Sequence, residues 1–543
     1  MLFKLESKGE TIIGAVVLLL LALHLSTAFQ RAINWDEYYH YSVLETFARG
    51  EYVQPLQTLY LRAFVWVTAL PGSEIDHIIV VRVFMFGCLV VTALSIAGIV
   101  SSLSTRTTGL ICAACYLSAG LILHHGTAFR TDIMTAALLS LALWIIAASS
   151  LSWKSIASMG FLVGIAGMIT IKSVLWAPAF VGLGLIRWHT EGWKPALFIR
   201  FIFAALAAGL TFATVYFFHS RGVASDPDAS ASALIGNAST RMFTFPYLEK
   251  LPVILTAVLT ALPLAAFIIL LPILLIRSAN DIAAKAGILG LWAVALVPLF
   301  YVNSYPYFYA FILPPVAVSI YLAVEAAQTR YSVFALAIVM AVNGVANWAL
   351  DERGILHNQR LVLETVRQNL PGPVTYFDCC ASIGSWPSGN GFRTAWGVDQ
   401  YLAATRPAFR DRMLQEPVPL LIAGGWSQQV FQDSGPTDKF LSEDVEALRN
   451  TYIPFWGPIH LAGIELRPLE ERKWEALVPG PYTVEGSVAI DGAVYADGDT
   501  ISIDRGTWEL QETNGAQARL VWGENILKPE TPAPTKLWTS WIE

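Results

Sequence analysis

The sequence predicts a mainly α-helical protein that crosses a membrane many times and carries a C-terminal region containing β-strands. Composition is the first reason: of 543 residues, 55% are hydrophobic and 14% are charged, whereas soluble domains carry about 25% charged residues. The second is a series of apolar runs that approach the roughly 20 residues a bilayer requires. The third is a change to short, turn-rich patterns after about residue 350.

Eleven apolar runs are predicted to cross the membrane. The first is longer than the apolar core of a signal peptide, and no small-residue cleavage site follows it, so we expect it to remain as a helix. The runs are 11–30, 78–101, 107–123, 131–149, 156–171, 173–187, 198–218, 251–276, 285–302, 306–325 and 331–349.

Lysines and arginines give the predicted orientation, because cytoplasmic loops are enriched in them. With the N-terminus inside, every inner connection is short and carries at least one cation, such as Arg106 or Lys154. The outside then holds 31–77, the turn before the fourth span, the loop 219–250 and everything after about residue 350. An odd number of spans, such as eleven, agrees with this arrangement.

The predicted domains are a membrane domain at 1–350, an extracytoplasmic α/β domain at 351–475 and a small β-rich domain at 476–543. Short outer helices are expected between residues 35 and 70, the first ended by Gly50 and the second amphipathic and too short to cross. After residue 350, a helical pattern is followed by buried strands, and the last segment alternates β-rich runs with Asp-Gly and Asn-Gly turns.

Composition also excludes several classes of protein. The net charge of −6 includes no basic stripe, so nucleic acid is not an expected partner. Five cysteines are too few for a disulfide framework. Cys112 and Cys115 lack a second ligand pair for zinc, and a strained vicinal disulfide between Cys379 and Cys380 stays open.

Acidic residues stand at two of the predicted outer segments. Asn34 and Glu37 have the spacing of a capping box, which leaves Asp36 without a structural task. The Asp36 carboxylate could accept a proton or help to hold a divalent cation. Asp132 opens the fourth span, where helix capping is the structural explanation. Arg130 and the pair His124–His125 precede it, so a polar cluster is expected at the outer surface.

Cations are predicted on the same side as these acids. Lys172 lies between two apolar runs, where it could simply extend to the interface, but topology places it with Asp36 and Asp132. Arg241 and Tyr309 also lie on that side. Cations at a membrane surface suit a lipid-linked phosphate, and a carboxylate nearby could deprotonate an acceptor hydroxyl.

Four stretches together resemble the GT-C superfamily of membrane glycosyltransferases, and within it the branch of aminoarabinose transferases and protein O-mannosyltransferases. They are "WDEYYHY", "FRTDIMTAALLSLALW", "GIAGMITIKSVLWAPAF" and "PYFYAFILPPVAV". Their order and sides agree with that family across roughly residues 10–350. The resemblance implies a GT-C-like fold and transfer of a sugar, typically with inversion, from a polyprenyl-phosphate donor to an acceptor hydroxyl on the extracytoplasmic side.

The resemblance also implies roles for individual residues. The acids that match the family's catalytic positions are Asp36 as general base, Glu37 and Asp132. The residues expected near the donor phosphate are Lys172, Arg130, Arg241 and Tyr309. Two departures affect these assignments: the usual adjacent Thr-Lys is here interrupted by Ile171, and Phe308 stands where a basic or polar residue often precedes the tyrosine.

Cofactor and partners follow from the same resemblance. Some relatives bind a divalent metal ion and others need none, so metal use stays open, with Asp36, Asp132, His124 and His125 as candidate ligands. The expected partners are the donor, a glycan, lipid or protein acceptor, and the bilayer of a bacterial inner membrane. The alternative is a transporter or flippase of a lipid-linked saccharide, for which the large exported region would be unusual.

Overall fold

The computed structural model describes residues 7–51, 53–223, 243–278, 281–370, 372–390, 395–431 and 438–539. The chain divides into two compact units. The first consists of Met1–Gln30, Thr46–Pro71 and Ile79–Asp351. The second consists of Arg31–Glu45, Gly72–Ile78 and Glu352–Glu543.

The α-helices of the described ranges are numbered in chain order. They are α1 (Lys8–Gln30), α2 (Trp35–Ala48), α3 (Tyr60–Phe64), α4 (Glu74–Leu103), α5 (Arg106–Ser118), α6 (Gly120–His125), α7 (Thr131–Ala148), α8 (Trp153–Ile169), α9 (Ala177–Thr190), α10 (Pro195–Arg221), α11 (Leu251–Thr260), α12 (Leu262–Arg277), α13 (Ile282–Ala293), α14 (Phe308–Ser319), α15 (Tyr321–Gln328), α16 (Val333–Ala349), α17 (Ile355–Asn369), α18 (Ala395–Ala404), α19 (Ala408–Gln415) and α20 (Ser442–Thr451). Short 3₁₀ helices occupy Val65–Ala69, Ile171–Trp176, Leu248–Lys250, Val294–Leu299 and Gly425–Phe431.

Six helices of the described chain are long and apolar enough to cross a membrane. They are Lys8–Gln30, Glu74–Leu103, Thr131–Ala148, Ile171–Thr190, Pro195–Arg221 and Ile282–Leu299. Counting each of two bent helix pairs as one span raises the number to eight: α11 with α12, bent by 103°, and α14 with α15, bent by 53°.

All eleven predicted runs fall on helices, but a crossing count of eleven stays a prediction. Helices α8 and α16 have 17 residues each, and the run 107–123 is interrupted at Ala119 between α5 and α6. The sharp bend between α11 and α12 falls at Ala261, two residues before Pro263. Proline has no backbone N–H and its ring clashes with the carbonyl oxygen four residues earlier, so Pro263 in the first turn of α12 prevents one continuous helix through this apolar run.

Helices of the first unit approach closely where small residues meet. A Cβ added to Gly164 of α8 would lie 2.6 Å from the Ala208 carbonyl oxygen of α10, and one added to Gly290 of α13 would lie 2.6 Å from the Pro178 carbonyl oxygen of α9. Small residues let apolar helices pack backbone against backbone. The 3₁₀ helix Ile171–Trp176, which carries Lys172, lies between two of these helices, α8 and α9.

The second unit contains two β-sheets. Its strands are β1 (Tyr376–Phe377), β2 (Leu420–Ile422), β3 (Tyr452–Trp456), β4 (Ile459–Leu466), β5 (Glu471–Ala476), β6 (Gly480–Glu485), β7 (Val488–Ile490), β8 (Ala493–Tyr495), β9 (Thr500–Ile503), β10 (Gly506–Glu512) and β11 (Ala518–Trp522). The larger sheet has the order β1-β2-β4-β11-β6-β9, with β3 also paired to β4, and the smaller has the order β5-β10-β7-β8. Only β1 and β2 pair in parallel among these strands.

The strands confirm the β-rich character of the C-terminal region, while the division at residues 475 and 476 stays a prediction. Strand β4 precedes that boundary and β11 follows it, yet the two pair in antiparallel register, Leu466 opposite Ala518. Apolar residues of the strands pack into two hydrophobic cores. One core contains Phe377, and the other contains Trp474. The five cysteines are all free thiols.

Helix α2 clusters with the second unit from Trp35 to Glu45, and its last three residues cluster with the first unit. Its bounds match the expected outer helix, and Gly50 beyond its end has a φ of 70°, which glycine adopts without strain. The residues of α2 up to Glu45 cluster with the C-terminal residues. The second expected outer helix is present as α3 followed by the 3₁₀ turn Val65–Ala69.

Candidate functional site

A buried ion cluster lies at the start of α7 in the first unit. Asp132 Oδ1 accepts a hydrogen bond from Lys172 Nζ at 2.6 Å, and Asp132 Oδ2 accepts one from Arg130 Nε at 3.1 Å. The side chains of Asp132, Arg130 and Lys172 are 4%, 8% and 14% exposed. The helix N-cap is Arg130 and forms no side-chain cap bond, so Asp132 binds cations rather than capping its helix.

The interruption by Ile171 has a structural explanation. Thr170 is the N-cap of the 3₁₀ helix Ile171–Trp176, and its Oγ1 accepts the backbone N–H of Lys172 at 3.4 Å. The same hydroxyl donates to Gln57 Oε1 at 3.3 Å. Thr170 therefore fixes the backbone of Lys172 across one intervening residue, and the lysine side chain reaches Asp132 from there.

Aromatic rings surround the two cations. The Arg130 guanidinium carbon lies 3.3 Å from the centroid of the Tyr307 ring. Lys172 Nζ lies 5.7–5.9 Å from the rings of Tyr307, Phe308 and Phe311. A cation over an aromatic face is attracted to the ring, more strongly where water is excluded. Phe308, the second departure from the family pattern, is thus part of the aromatic wall beside Lys172.

Sequence reasoning missed Tyr307 and Tyr305. The two rings stack at 5.9 Å, and Lys250 Nζ lies 3.5 Å above the Tyr305 ring. The aromatic run "SYPYFY" (304–309) at the start of the tenth predicted span is the available signal, but it does not indicate which ring meets which cation.

Tyr309 contributes a buried hydroxyl. Its side chain is 5% exposed, and its Oη atom has no hydrogen-bond partner among the residues that the structure describes. A buried polar group without a partner costs about 1–3 kcal/mol.

The remaining candidates are placed as follows. His124 Nδ1 lies 3.4 Å from Asp351 Oδ1, and the His125 ring is edge-on to the Tyr307 ring at 6.4 Å. Arg241 lies outside the described residues. Within the described ranges, no group of three or more His, Cys, Asp or Glu side chains is placed to hold a metal ion.

Asp36 and Glu37 lie in the second unit, at the start of α2. The Glu37 carboxylate accepts the Asn34 backbone N–H at 2.9 Å, and Asn34 Oδ1 accepts the Asp36 backbone N–H at 2.9 Å. This reciprocal pair confirms the predicted capping box. Glu37 is 1% exposed and its carboxylate takes part in the cap, to which Asp36 contributes its backbone N–H.

Comparison with solved structures gives the fold. ArnT from Cupriavidus metallidurans bound to undecaprenyl phosphate matches with a TM-score of 0.54 and 12% identity, over 76% of this chain and 92% of ArnT. ArnT in the apo state matches with a TM-score of 0.51 and 13% identity over the same shares. The Archaeoglobus fulgidus oligosaccharyltransferase matches at 10% identity over 93% of this chain and 96% of the length of that protein. Its TM-score is 0.45, which is too low to support an argument.

No protein-family model and no curated protein sequence matches the chain. The similarity to ArnT is one of fold, at an identity too low to transfer an activity. The chain shares the fold of ArnT. This fold places the Asp132 cluster among apolar helices of a multi-pass membrane protein.

Proposed function

We propose that this protein is a membrane glycosyltransferase that moves a sugar from a polyprenyl-phosphate donor to a hydroxyl of a glycan, lipid or protein on the extracytoplasmic side. The observation that carries this proposal is the buried cluster of Lys172 and Arg130 around Asp132 in a GT-C fold. The ArnT structure of the same fold is one bound to undecaprenyl phosphate.

The cluster supports a role in holding the donor phosphate. Lys172 and Arg130 each pair with one oxygen of Asp132 beside buried aromatic rings, and buried charge is costly unless it is paired. Asp132 accepts one of the three Lys172 Nζ hydrogens, so the ammonium group can also donate to an anion. Charge-assisted bonds of this kind are short and strong. Tyr309 can add a hydroxyl donor, and Arg241 is a further proposed phosphate contact.

Asp36 is the proposed general base. Its carboxylate takes the proton of the acceptor hydroxyl while the acceptor oxygen forms a bond to the anomeric carbon. The bond from that carbon to the phosphate oxygen breaks, and polyprenyl phosphate leaves with the electron pair. A single displacement inverts the anomeric centre. Lys172 and Arg130 stabilise the negative charge that grows on the leaving phosphate.

The two other proposed catalytic acids have supporting roles. Asp132 keeps Lys172 and Arg130 together, because each of its oxygens pairs with one cation. Glu37 holds the cap that orients the first turn of α2. The residues around Asp132 do not fit a divalent metal ion, since both carboxylate oxygens already bind cations, and no step of this mechanism uses a metal.

A cell-envelope comparison tests the proposed transfer. Mass spectrometry of envelope glycans from strains with and without the gene should show one component that loses a sugar, with the polyprenyl-phosphate sugar accumulating. Complementation with wild-type protein should restore the modified component. Identical glycans in both strains would contradict the proposal.

A transporter or flippase is the alternative, and the two bent helix pairs favour it, because broken helices form substrate sites in transporters. Both pairs lie after residue 240, so they do not occupy matching halves of the chain. An assay with purified protein in detergent distinguishes the two functions. The protein is mixed with a lipid extract from its source membrane, which supplies donor and acceptor, and the release of polyprenyl phosphate is measured. A transferase releases polyprenyl phosphate, whereas a flippase leaves the lipid-linked sugar intact.

A further inference from the structure

We infer that the C-terminal region positions the first turn of α2 through Gln359, which makes Gln359 a positioning residue for the Asp36 carboxylate. The structural part of this inference concerns the second unit alone. The catalytic part rests on the proposed function, in which Asp36 is the general base.

Gln359 binds the chain just before α2. Its Oε1 accepts the backbone N–H of Ile33 at 2.8 Å, and its Nε2 donates to the Ile33 carbonyl oxygen at 2.9 Å. The same Nε2 donates to the Leu537 carbonyl oxygen at 3.0 Å. Gln359 is 4% exposed. A buried amide that makes all these bonds holds both neighbours in one geometry, because losing a bond would leave a buried polar group unpaired.

The bond at Ile33 controls where Asp36 lies. Ile33 precedes Asn34, the N-cap, and Asn34 Oδ1 binds the Asp36 backbone N–H. A fixed peptide at Ile33 therefore sets the entry angle of the chain into α2. Asp36 follows within the first helical turn, so its direction depends on that angle.

Other contacts of the second unit hold the rest of α2. Tyr38 packs edge-on against Trp538 with ring centroids 6.1 Å apart. A Cβ added to Gly384 would lie 2.9 Å from Cδ1 of Tyr41, so the chain touches α2 at a position without a side chain. Tyr41 Oη in turn lies 2.6 Å from Nδ1 of His77. These contacts hold the first two turns of α2, and Gln359 binds the residue just before the helix.

The geometry around Gln359 is that of a packing contact rather than a ligand site. The cavity lined by Tyr38, Gln359 and Leu537 has a volume of about 20 Å³. A cavity needs roughly 10–15 Å³ to hold one water molecule. No sugar or lipid fits there, so any effect of Gln359 on transfer must act through the residues it binds.

The test compares Gln359→Leu with Asn358→Ala in the full-length protein. Asn358 is the matched control, because it lies on the same helix and donates to the Lys536 carbonyl oxygen at 2.9 Å, without a bond to Ile33. Gln359→Glu is the second variant, and it keeps the side-chain volume and the acceptor for the Ile33 N–H. It is measured in place of Gln359→Leu if that variant does not fold.

Three measurements are made on each variant. Hydrogen exchange followed by mass spectrometry should show at least about tenfold faster exchange at the backbone amides of 33–38 in Gln359→Leu, and wild-type exchange there in Asn358→Ala. Affinity for undecaprenyl phosphate should stay within about twofold. Glycan transfer by the complemented strain should fall roughly ten- to a hundredfold, since a displacement of about 1 Å can cost that much.

The outcomes separate this inference from the proposed function. Unchanged exchange at 33–38, or an equal loss of transfer in Asn358→Ala, overturns the positioning role. Faster exchange with wild-type transfer also overturns it, provided that Asp36→Asn is inactive. If Asp36→Asn keeps wild-type transfer, the base assignment falls instead, while the exchange result still decides whether Gln359 fixes the start of α2.

Discussion

Two aspartates, Asp36 and Asp132, begin helices in different units and are engaged in different ways. Both oxygens of Asp132 bind cations, Lys172 at 2.6 Å and Arg130 at 3.1 Å. At Asp36, Asn34 and Glu37 form the helix cap, and the Asp36 backbone N–H donates to Asn34 Oδ1. The Asp132 carboxylate brings two cations together, whereas the cap fixes the backbone of Asp36 at the start of its helix. We propose phosphate binding around Asp132 and base chemistry at Asp36.

Asp36→Asn should give the largest effect on transfer. The amide keeps the size of the side chain but cannot accept the proton, so we expect a loss of about 10²- to 10⁴-fold, with unchanged folding. Transfer is measured from envelope glycans of the complemented strain. The control is Glu51→Gln, which changes an exposed acid beyond the end of α2 and should leave transfer at the wild-type level. Near-normal transfer by Asp36→Asn would falsify the base assignment.

Asp132→Asn should instead damage the protein itself. The change leaves Lys172 and Arg130 buried without their carboxylate, which typically costs about 3–5 kcal/mol. Thermal inactivation in detergent measures the loss. Asp281→Asn is the control, because its carboxylate is 75% exposed beside His189, and exposed pairs contribute about 0–1 kcal/mol. Equal stability of the two variants would remove the structural role of Asp132.

Lys172→Ala should weaken donor binding, and it leaves the proposed base, Asp36, in place. A hydrogen bond to a charged group contributes about 1.5–3 kcal/mol, which corresponds to roughly a 10- to 150-fold lower affinity for undecaprenyl phosphate. Isothermal titration in detergent measures the affinity. Lys154→Ala, which removes an exposed cation, should bind as the wild type does. Unchanged affinity in Lys172→Ala would take this lysine out of the site.

Changes in the cap should have the smallest effects. Asn34→Ala removes the side-chain acceptor of the cap and should cost about 1 kcal/mol of stability. Glu37→Gln retains an oxygen that can accept the Asn34 N–H, so it should behave nearly as the wild type in denaturation and in transfer. A loss of transfer in Glu37→Gln as large as that in Asp36→Asn would instead give Glu37 a catalytic role of its own.

Features that depend on local sequence were predictable. The helices follow from long apolar runs, and the capping box follows from the three-residue spacing of Asn34 and Glu37, because both bonds form within one turn. Gly50 indicated the end of α2 for the same reason. Breaks within apolar runs were harder, since averaged hydropathy does not show a bend such as the one at Ala261.

Contacts between distant segments could not be read from the sequence. Topology placed Asp132 and Lys172 on one side of the membrane, but their separation by 40 residues gives no distance, and the 2.6 Å bond depends on how helices pack. The bond from Gln359 to Ile33 spans 326 residues and has no sequence signal. The grouping of α2 with the C-terminal unit was missed because it depends on contacts of this kind.

The most direct test of this division of roles is the dissociation constant of undecaprenyl phosphate, measured side by side for wild type, Lys172→Ala and Asp36→Asn. We predict that Lys172→Ala binds at least tenfold more weakly, whereas Asp36→Asn binds as tightly as the wild type. Equal affinity of all three proteins, or weaker binding by Asp36→Asn alone, would contradict the account.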